Sequence, residues 1–230
     1  MNIAIIPARG GSKRIPRKNI KNFLGKPIIS YSIEAALYSD AFDEVMVSTD
    51  DVEIAEIAKR YGAVIPFMRS KKSSSDMATT ASVLIEVLDE YENLGKRFEN
   101  LCCIYPCAPF VTAERLKEGM CLLVSSMAGS VLPVVRFSHP PQRCLFMRDG
   151  MVKFLHPENY PIRSQDLEPL YHDSGQFYCM KAVTLRHERS LYCECTKAIV
   201  LSEREVQDID TPEDWAAAEI KFHILHCQDM

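Results

Sequence analysis

The chain has 230 residues, 47% of them hydrophobic, with a formal charge of −4 at pH 7 and a pI of about 5.9. That length suits one large domain or one domain with a sub-lobe, and the apolar share is ample for a buried core. The acidic balance argues against a nucleic-acid or membrane-surface protein, and no apolar run nears the roughly 20 residues that span a bilayer.

Strand-like and helix-like segments alternate through the first 136 residues. The run "NIAII" (2–6) reads as a strand buried on both faces. It is too short for the apolar region of a signal peptide, and no small-residue cleavage site follows it. Pro27 opens a helix through Ala36, with Ile28, Tyr31 and Ala35 on one face. "EVMVS" (44–48) is the second strand. Asp50 and Glu53 then suggest a capping box, with an apolar stripe from Ile54 to Tyr61 and Gly62 as the stop. "AVIPFM" (63–68) reads as a third strand that Pro66 confines to an edge or an end. A long helix over about 78–94, a strand at 101–106, a helix from Thr112 and a strand at 130–135 complete the alternation. Such a pattern predicts an α/β fold with a doubly wound, mostly parallel sheet.

After residue 136 the pattern changes. Asp149-Gly150 between alternating apolar residues signals a β-hairpin. "GQFYCM" and "KAIVL" read as strands, and Thr211 with Pro212 starts a last helix. The expected organisation is one domain over 1–230, with an inserted lobe at 137–170 and a return to the main sheet over 171–225.

The nine cysteines show no paired framework. Cys102 and Cys103 are adjacent, Cys193 and Cys195 stand one residue apart, and no Cys-x-x-Cys occurs. This usage fits a reducing, cytoplasmic setting in which most cysteines are small core residues. A zinc site from Cys193, Cys195 and His187 lacks the usual ligand spacing.

The loop "PARGGSKRIPRKN" (7–19) carries five cations, and the first acid in the chain is Glu34. In a doubly wound sheet, ligands bind beyond the carboxyl ends of the strands, where this loop emerges. Gly10 and Gly11 would let backbone amides approach an anion as a nest. Ser12 adds a hydroxyl, while Arg9, Lys13 and Lys18 add charge. The expected ligand is a compact polyanion such as a nucleoside triphosphate. The spacings G-x-x-x-x-G-K-[ST] and G-x-G-x-x-G are both absent.

A second signal is "QDIDTPEDW" (207–215). In an extended segment Asp208 and Asp210 face one side and Ile209 the other. Two carboxylates on one face suit Mg²⁺ held together with substrate phosphates. A bare helix pre-cap is the simpler alternative for Asp210.

The string "IPARGGSKRIPRKN", continued by "KNIKNFLGKPIISYSIEAA", resembles the signature of the cytidylyltransferases that activate sialic-acid-like sugars, and the likeness extends to about Leu225. "RSQDLEPLYHDSGQFY" and "IYPCAPF" resemble the subgroup acting on pseudaminic acid. The resemblance implies a Rossmann-like nucleotidyltransferase fold, CTP and a nine-carbon 2-keto sugar acid as substrates, Mg²⁺ as cofactor and a homodimer. It assigns the phosphates and ribose of CTP to Arg9, Ser12, Lys13, Lys18 and Asn19. Arg9 and Lys18 would be the fixed cations at the reacting phosphate. Arg69 and Thr80 would also hold the nucleotide, with Asp76 either beside them or merely a cap. Tyr105 and Cys107 depart from the wider family pattern Q-P-T-S-P, and with no histidine implied nearby Cys107 reads as a small wall residue.

In and after the inserted lobe, Arg143, Arg163, Gln165, Tyr171, Gln176 and Tyr178 are candidate sugar contacts. An arginine suits bidentate binding of the sugar carboxylate. His172 beside Asp173 reads equally as an acid–base pair or a structural one. No side chain stands out as a general base. Rival readings are activation of N-acetylneuraminic or legionaminic acid, a sugar-phosphate nucleotidyltransferase, a non-catalytic nucleotide-binding protein and an RNA-binding module.

Overall fold

Strand β1 (Asn2–Pro7) shows how the layers arise. Its residues Ile3 to Ile6 are fully buried. Ala4 and Ile6 enter one core cluster, and Ile3 and Ile5 enter another. Because side chains alternate along a strand, the two clusters lie on opposite faces of the sheet. The computed structural model describes residues 1–226.

The short strands β2 (Asn22–Phe23) and β3 (Lys26–Pro27) pair with each other and lead into α1 (Ile28–Tyr38). Next come β4 (Glu44–Ser48), α2 (Val52–Arg60), α3 (Thr80–Asn93), β5 (Asn100–Ile104), α4 (Ala113–Ser125) and β6 (Ser130–Arg136). A hairpin of β7 (Leu145–Arg148) and β8 (Met151–Phe154) follows, then β9 (Tyr171–Asp173), β10 (Phe177–Lys181), α5 (Ala182–Glu188), β11 (Thr196–Leu201) and α6 (Pro212–His226).

The main sheet runs β11-β6-β10-β5-β1-β4, with β9 also on β6. β1 is parallel to β4 and β5, and β6 is parallel to β11. β10 is antiparallel to both of its neighbours and β9 is antiparallel to β6, so the sheet is mixed. Helices α1, α2 and α4 feed the first cluster, α3 and α5 the second. The sheet is therefore wound on both faces.

Two local expectations are corrected. Residues 63–68 make only a single bridge, Val64 to Met46, rather than a strand. Pro66 has no N–H to extend the ladder. The cap of α2 is Asp51, which accepts from Ile54 N at 3.0 Å, and not Asp50.

Between β6 and β9 the chain leaves the sheet. Residues 137–170 hold the hairpin, turned at Asp149 and Gly150 with positive φ at both, and three short 3-10 turns. Phe137 N donates to Leu170 O at 3.0 Å where the excursion closes. Among the described residues no helix is long and apolar enough to cross a membrane.

Candidate active site

A third, smaller apolar cluster organises the site. Ile15, from the basic loop, and Ile209, between the two aspartates, are 2% and 1% exposed. Both pack with Phe23, Ile28, Phe110, Trp215 and Ala218. One small core thus pins two segments nearly 200 positions apart, leaving their charged neighbours at the surface. Lys18 stitches them further, since its Nζ donates to the Ile209 carbonyl. The buried Asn19 donates from Nδ2 to Arg9 O at 2.9 Å.

The result is a cleft of about 410 Å³ at the carboxyl end of β1, lined by Arg9, Ser12, Lys13, Arg14, Lys18, Asn19 and Asp210 among others. Its cations are not bare. Asp210 accepts Arg14 at 2.8 Å and faces Lys18 at 3.4 Å. Asp76 pairs with Arg9 at 2.7 Å and Lys13 at 2.5 Å. Hydrogen bonding to Lys13, then to Arg9, holds the Asp76 carboxyl below the usual carboxylate range. Asp210 is therefore no bare pre-cap. The cap of α6 is Thr211, whose Oγ1 accepts from Asp214 N at 3.2 Å.

The loop backbone differs from an open anion nest. Gly10 N donates to Asp50 Oδ1 at 3.0 Å, and Ser12 N to Gly10 O at 3.1 Å. Gly10 is required for another reason: an added Cβ would lie 2.7 Å from Asp51 Oδ2 and 3.1 Å from Asp51 Cβ. Gly11 has open space around it. Arg17, at φ 54°, closes the loop with ion pairs to Asp51 and Glu53.

Arg69, Thr80, Tyr105 and Cys107 do not line the Arg9 cleft. Arg69 is buried and bonds Ser48 through Nε to Oγ at 3.0 Å and through Nη2 to the carbonyl at 2.5 Å. Burial lowers its pKa, opposed by Asp50 and Glu86. Thr80 Oγ1 and Tyr105 OH are 3.2 Å apart. The Cys107 thiol donates to Asn19 Oδ1 at 3.2 Å, and desolvation pushes its pKa up to about 12.

Asp208, exposed beyond buried Ile209, lines a second cleft of about 460 Å³ with His172, Asp173, Ser174 and Lys221 among others. Ser174 Oγ is buried there with no hydrogen-bond partner among the described residues. His172 and Asp173 do not form a side-chain pair, because His172 Nδ1 meets the backbone carbonyl of Asp173 at 2.9 Å. The Asp173 carboxylate instead accepts the hydroxyls of Tyr178, at 2.6 Å, and Tyr192.

The candidate sugar contacts are spread out. Gln176 is buried and donates from Nε2 to Glu205 O at 2.7 Å. Tyr178 is buried against Tyr105, with ring centroids 5.6 Å apart. Tyr171 is exposed at the start of β9. Arg143 and Arg163 stand on the excursion, and Arg163 pairs with Asp166 at 2.8 Å. Gln165 lines a cleft of about 500 Å³ with Phe137, Ser138 and Glu203. None of these residues lines the Arg9 cleft. Arg14, Asp50, Asp51 and Tyr192 are site neighbours that sequence reasoning passed over. The acid-free loop itself was a usable signal for acidic partners elsewhere.

Residues 3–197 match the family model described as cytidylyltransferase. The chain is 39% identical over 226 residues to the pseudaminic acid cytidylyltransferase of Campylobacter jejuni subsp. jejuni serotype O:2, covering 98% of this chain and 97% of the relative. It is 35% identical to the CMP-N,N'-diacetyllegionaminic acid synthase of Legionella pneumophila subsp. pneumophila, covering 94% of each. Its fold is similar to that of a CMP:2-keto-3-deoxy-manno-octonic acid synthetase complexed with CTP, with a TM-score of 0.71, 18% identity and coverage of 100% and 99%. A basic loop and an aspartate-bearing segment joined on one apolar cluster thus sit in a chain matched almost end to end, and this chain belongs to the cytidylyltransferase family of nucleotidyltransferases.

Proposed function

We propose that the protein transfers CMP from CTP to a nine-carbon 2-keto sugar acid of the pseudaminic acid type, releasing pyrophosphate. The observation that carries this reading is the near full-length identity of 39% to a pseudaminic acid cytidylyltransferase. The cleft of four cations and one aspartate at the carboxyl end of β1 supports it independently.

The triphosphate would lie along Arg9, Ser12, Lys13, Lys18 and Asn19, exchanging the Asp76 carboxylate for phosphate oxygens. The anomeric hydroxyl attacks the α-phosphorus and loses its proton, and the bond from that phosphorus to the oxygen bridging to the β-phosphate breaks. Arg9 and Lys18 are the fixed charges that stabilise the phosphoryl oxygens and the departing pyrophosphate. Arg69 and Thr80 are assigned to the nucleotide beyond the lining of that cleft. Asp208 and Asp210 are hard oxygen donors on either side of a buried isoleucine, a partial set that fits Mg²⁺ completed by phosphate oxygens. When bound, that ion would neutralise and polarise the phosphates.

For the sugar acid, the cleft beside Asp208 supplies the unpartnered Ser174 hydroxyl, with Gln176 and Tyr178 holding its neighbourhood. Arg143, Arg163 and Gln165 belong to a lobe at 137–170 that we assign to carboxylate binding and dimer formation. The exposed Met147, Met151 and Val152 of its hairpin, 73%, 63% and 55% accessible, support a second copy there. A cytoplasmic setting fits the free cysteines.

The test is a panel of pseudaminic, legionaminic and N-acetylneuraminic acids with CTP, read by pyrophosphate release and product mass. Pseudaminic acid should give the highest kcat/KM. Equal rates for all three acids would remove the sugar assignment, and no product with any would remove the function.

A further inference from the structure

We propose that Cys193 and Cys195 form a redox-active dithiol, reversibly closed to a disulfide by a hydroperoxide. The two sulfurs stand 3.6 Å apart on the turn entering β11. Cys195 is exposed and Cys193 is half-buried. Proximity alone would not select them, because Cys102 and Cys179 are also close, at 3.5 Å. That second pair is sealed in the core, and burial pushes the Cys102 thiol well up. Among the described residues, only the surface pair joins proximity to access.

The surroundings are built for sulfur. A Cβ on Gly129 would lie 2.8 Å from Cys193 Sγ and 3.0 Å from Cys195 Sγ, so both thiols seat where a glycine leaves room. Gly129 N donates to Cys195 Sγ at 3.2 Å. The hydroxyls of Ser130 and Thr196 each stand 3.6 Å from Cys193 Sγ and 2.6 Å from one another. Burial disfavours the Cys193 thiolate, but hydrogen bonds led by Ser130 and Thr196 outweigh it and bring the thiol below its ordinary value. A zinc site finds no third ligand: among the described residues no group of three metal-binding side chains occurs, and His187 Nδ1 meets Glu188 instead.

The chemistry balances with a peroxide as oxidant. The Cys193 thiolate attacks one peroxide oxygen, the O–O bond breaks, and the second oxygen leaves as water after taking up a proton. Cys195 then attacks the sulfenic sulfur, the S–S bond forms, the S–O bond breaks, and hydroxide leaves as water with the Cys195 proton. Two thiols lose two electrons and one hydrogen peroxide becomes two waters. Closure shortens the sulfur separation to about 2.0 Å. It acts next to Tyr192, whose hydroxyl bonds Asp173.

The intact protein is treated with hydrogen peroxide, quenched with a maleimide and mapped as peptides without reduction. The peptide carrying both cysteines should lose two hydrogens at a rate roughly tenfold above oxidation of the exposed, unpaired Cys121. Dithiothreitol should restore both thiols. In Cys195→Ser, dimedone should label Cys193 and no disulfide should form. Both thiols still taking maleimide when Cys121 is oxidised, or independent oxidation to sulfonic acids in the wild type, would overturn the assignment.

Discussion

Asp76 reaches back to Arg9 across 67 positions of sequence and pairs with it at 2.7 Å, while its other oxygen takes Lys13 at 2.5 Å. A carboxylate therefore occupies two cations of the cleft that we propose for the triphosphate. On that proposal it would compete with phosphate for the same charges.

Asp76→Asn removes that competition while keeping the side-chain shape. The KM for CTP should fall by on the order of two- to fivefold, the scale set by exposed ion pairs. A raised KM would mean that Asp76 preorganises the cations more than it blocks them.

Asp51 offers a pH test of the loop anchor. Its hydrogen bond from Arg17 lowers its pKa below the ordinary 3.8, against an opposing desolvation cost. A depressed carboxylate contributes stability fully above its unfolded pKa and loses it as pH falls through the folded one. Asp51→Asn can still cap α2. The Tm gap between wild type and this variant should be widest above about pH 4 and close toward lower pH. A gap independent of pH would assign the effect to capping or packing.

The two glycines of the loop should separate cleanly. Gly10→Ala forces a Cβ against Asp51, which Arg17 and the helix cap hold in place. The cost should be about 1–3 kcal/mol, as for other overpacked sites. Gly11→Ala meets no atom within 4 Å and should stay within about 0.5 kcal/mol of wild type. Denaturant midpoints for both variants decide it.

Asp208→Asn and Asp210→Asn each exchange an anionic donor for a neutral one. Both should lose turnover and need more Mg²⁺ for half-maximal rate, because the ion binds through few carboxylates and gives up water reluctantly. Free protein should bind Mg²⁺ weakly. An unchanged Mg²⁺ dependence in Asp210→Asn would leave that residue only its ion pairs to Arg14 and Lys18.

What the sequence made legible follows physical range. β1, β4 and the helix from Thr112 were readable because continuous apolar runs and caps are local signals. Ile209 was readable as the inward residue of its segment, but the aspartates on either side line different clefts, Asp208 with Ser174 and Asp210 with Arg9. Asp76 could be read as a nucleotide neighbour or a cap, and its ion pairs were not legible because the partners lie more than 60 positions away. Asp50 and Asp51 are adjacent, so either could cap α2, and only the approach of Gly10 distinguishes them. The strand expected at 63–68, already confined by Pro66 to an edge or an end, shrinks to the single Val64 bridge because Pro66 has no N–H to extend the ladder. The link from Asp173 to Tyr192 is tertiary, formed as β9 and the turn before β11 come together, and no local pattern encodes it.

The most direct test of the account is the rate of pyrophosphate release against CTP concentration, with pseudaminic acid saturating, for wild type, Arg9→Ala and Lys18→Ala. Both side chains line the cleft, and Lys18 also ties the basic loop to the segment that carries Asp208 and Asp210. The account predicts that kcat/KM for CTP falls by roughly 10²-fold or more in each variant, the weight of a fixed charge at a reacting phosphate. Circular dichroism should show both variants folded. Near-normal turnover in both would contradict it and move the chemistry away from this loop.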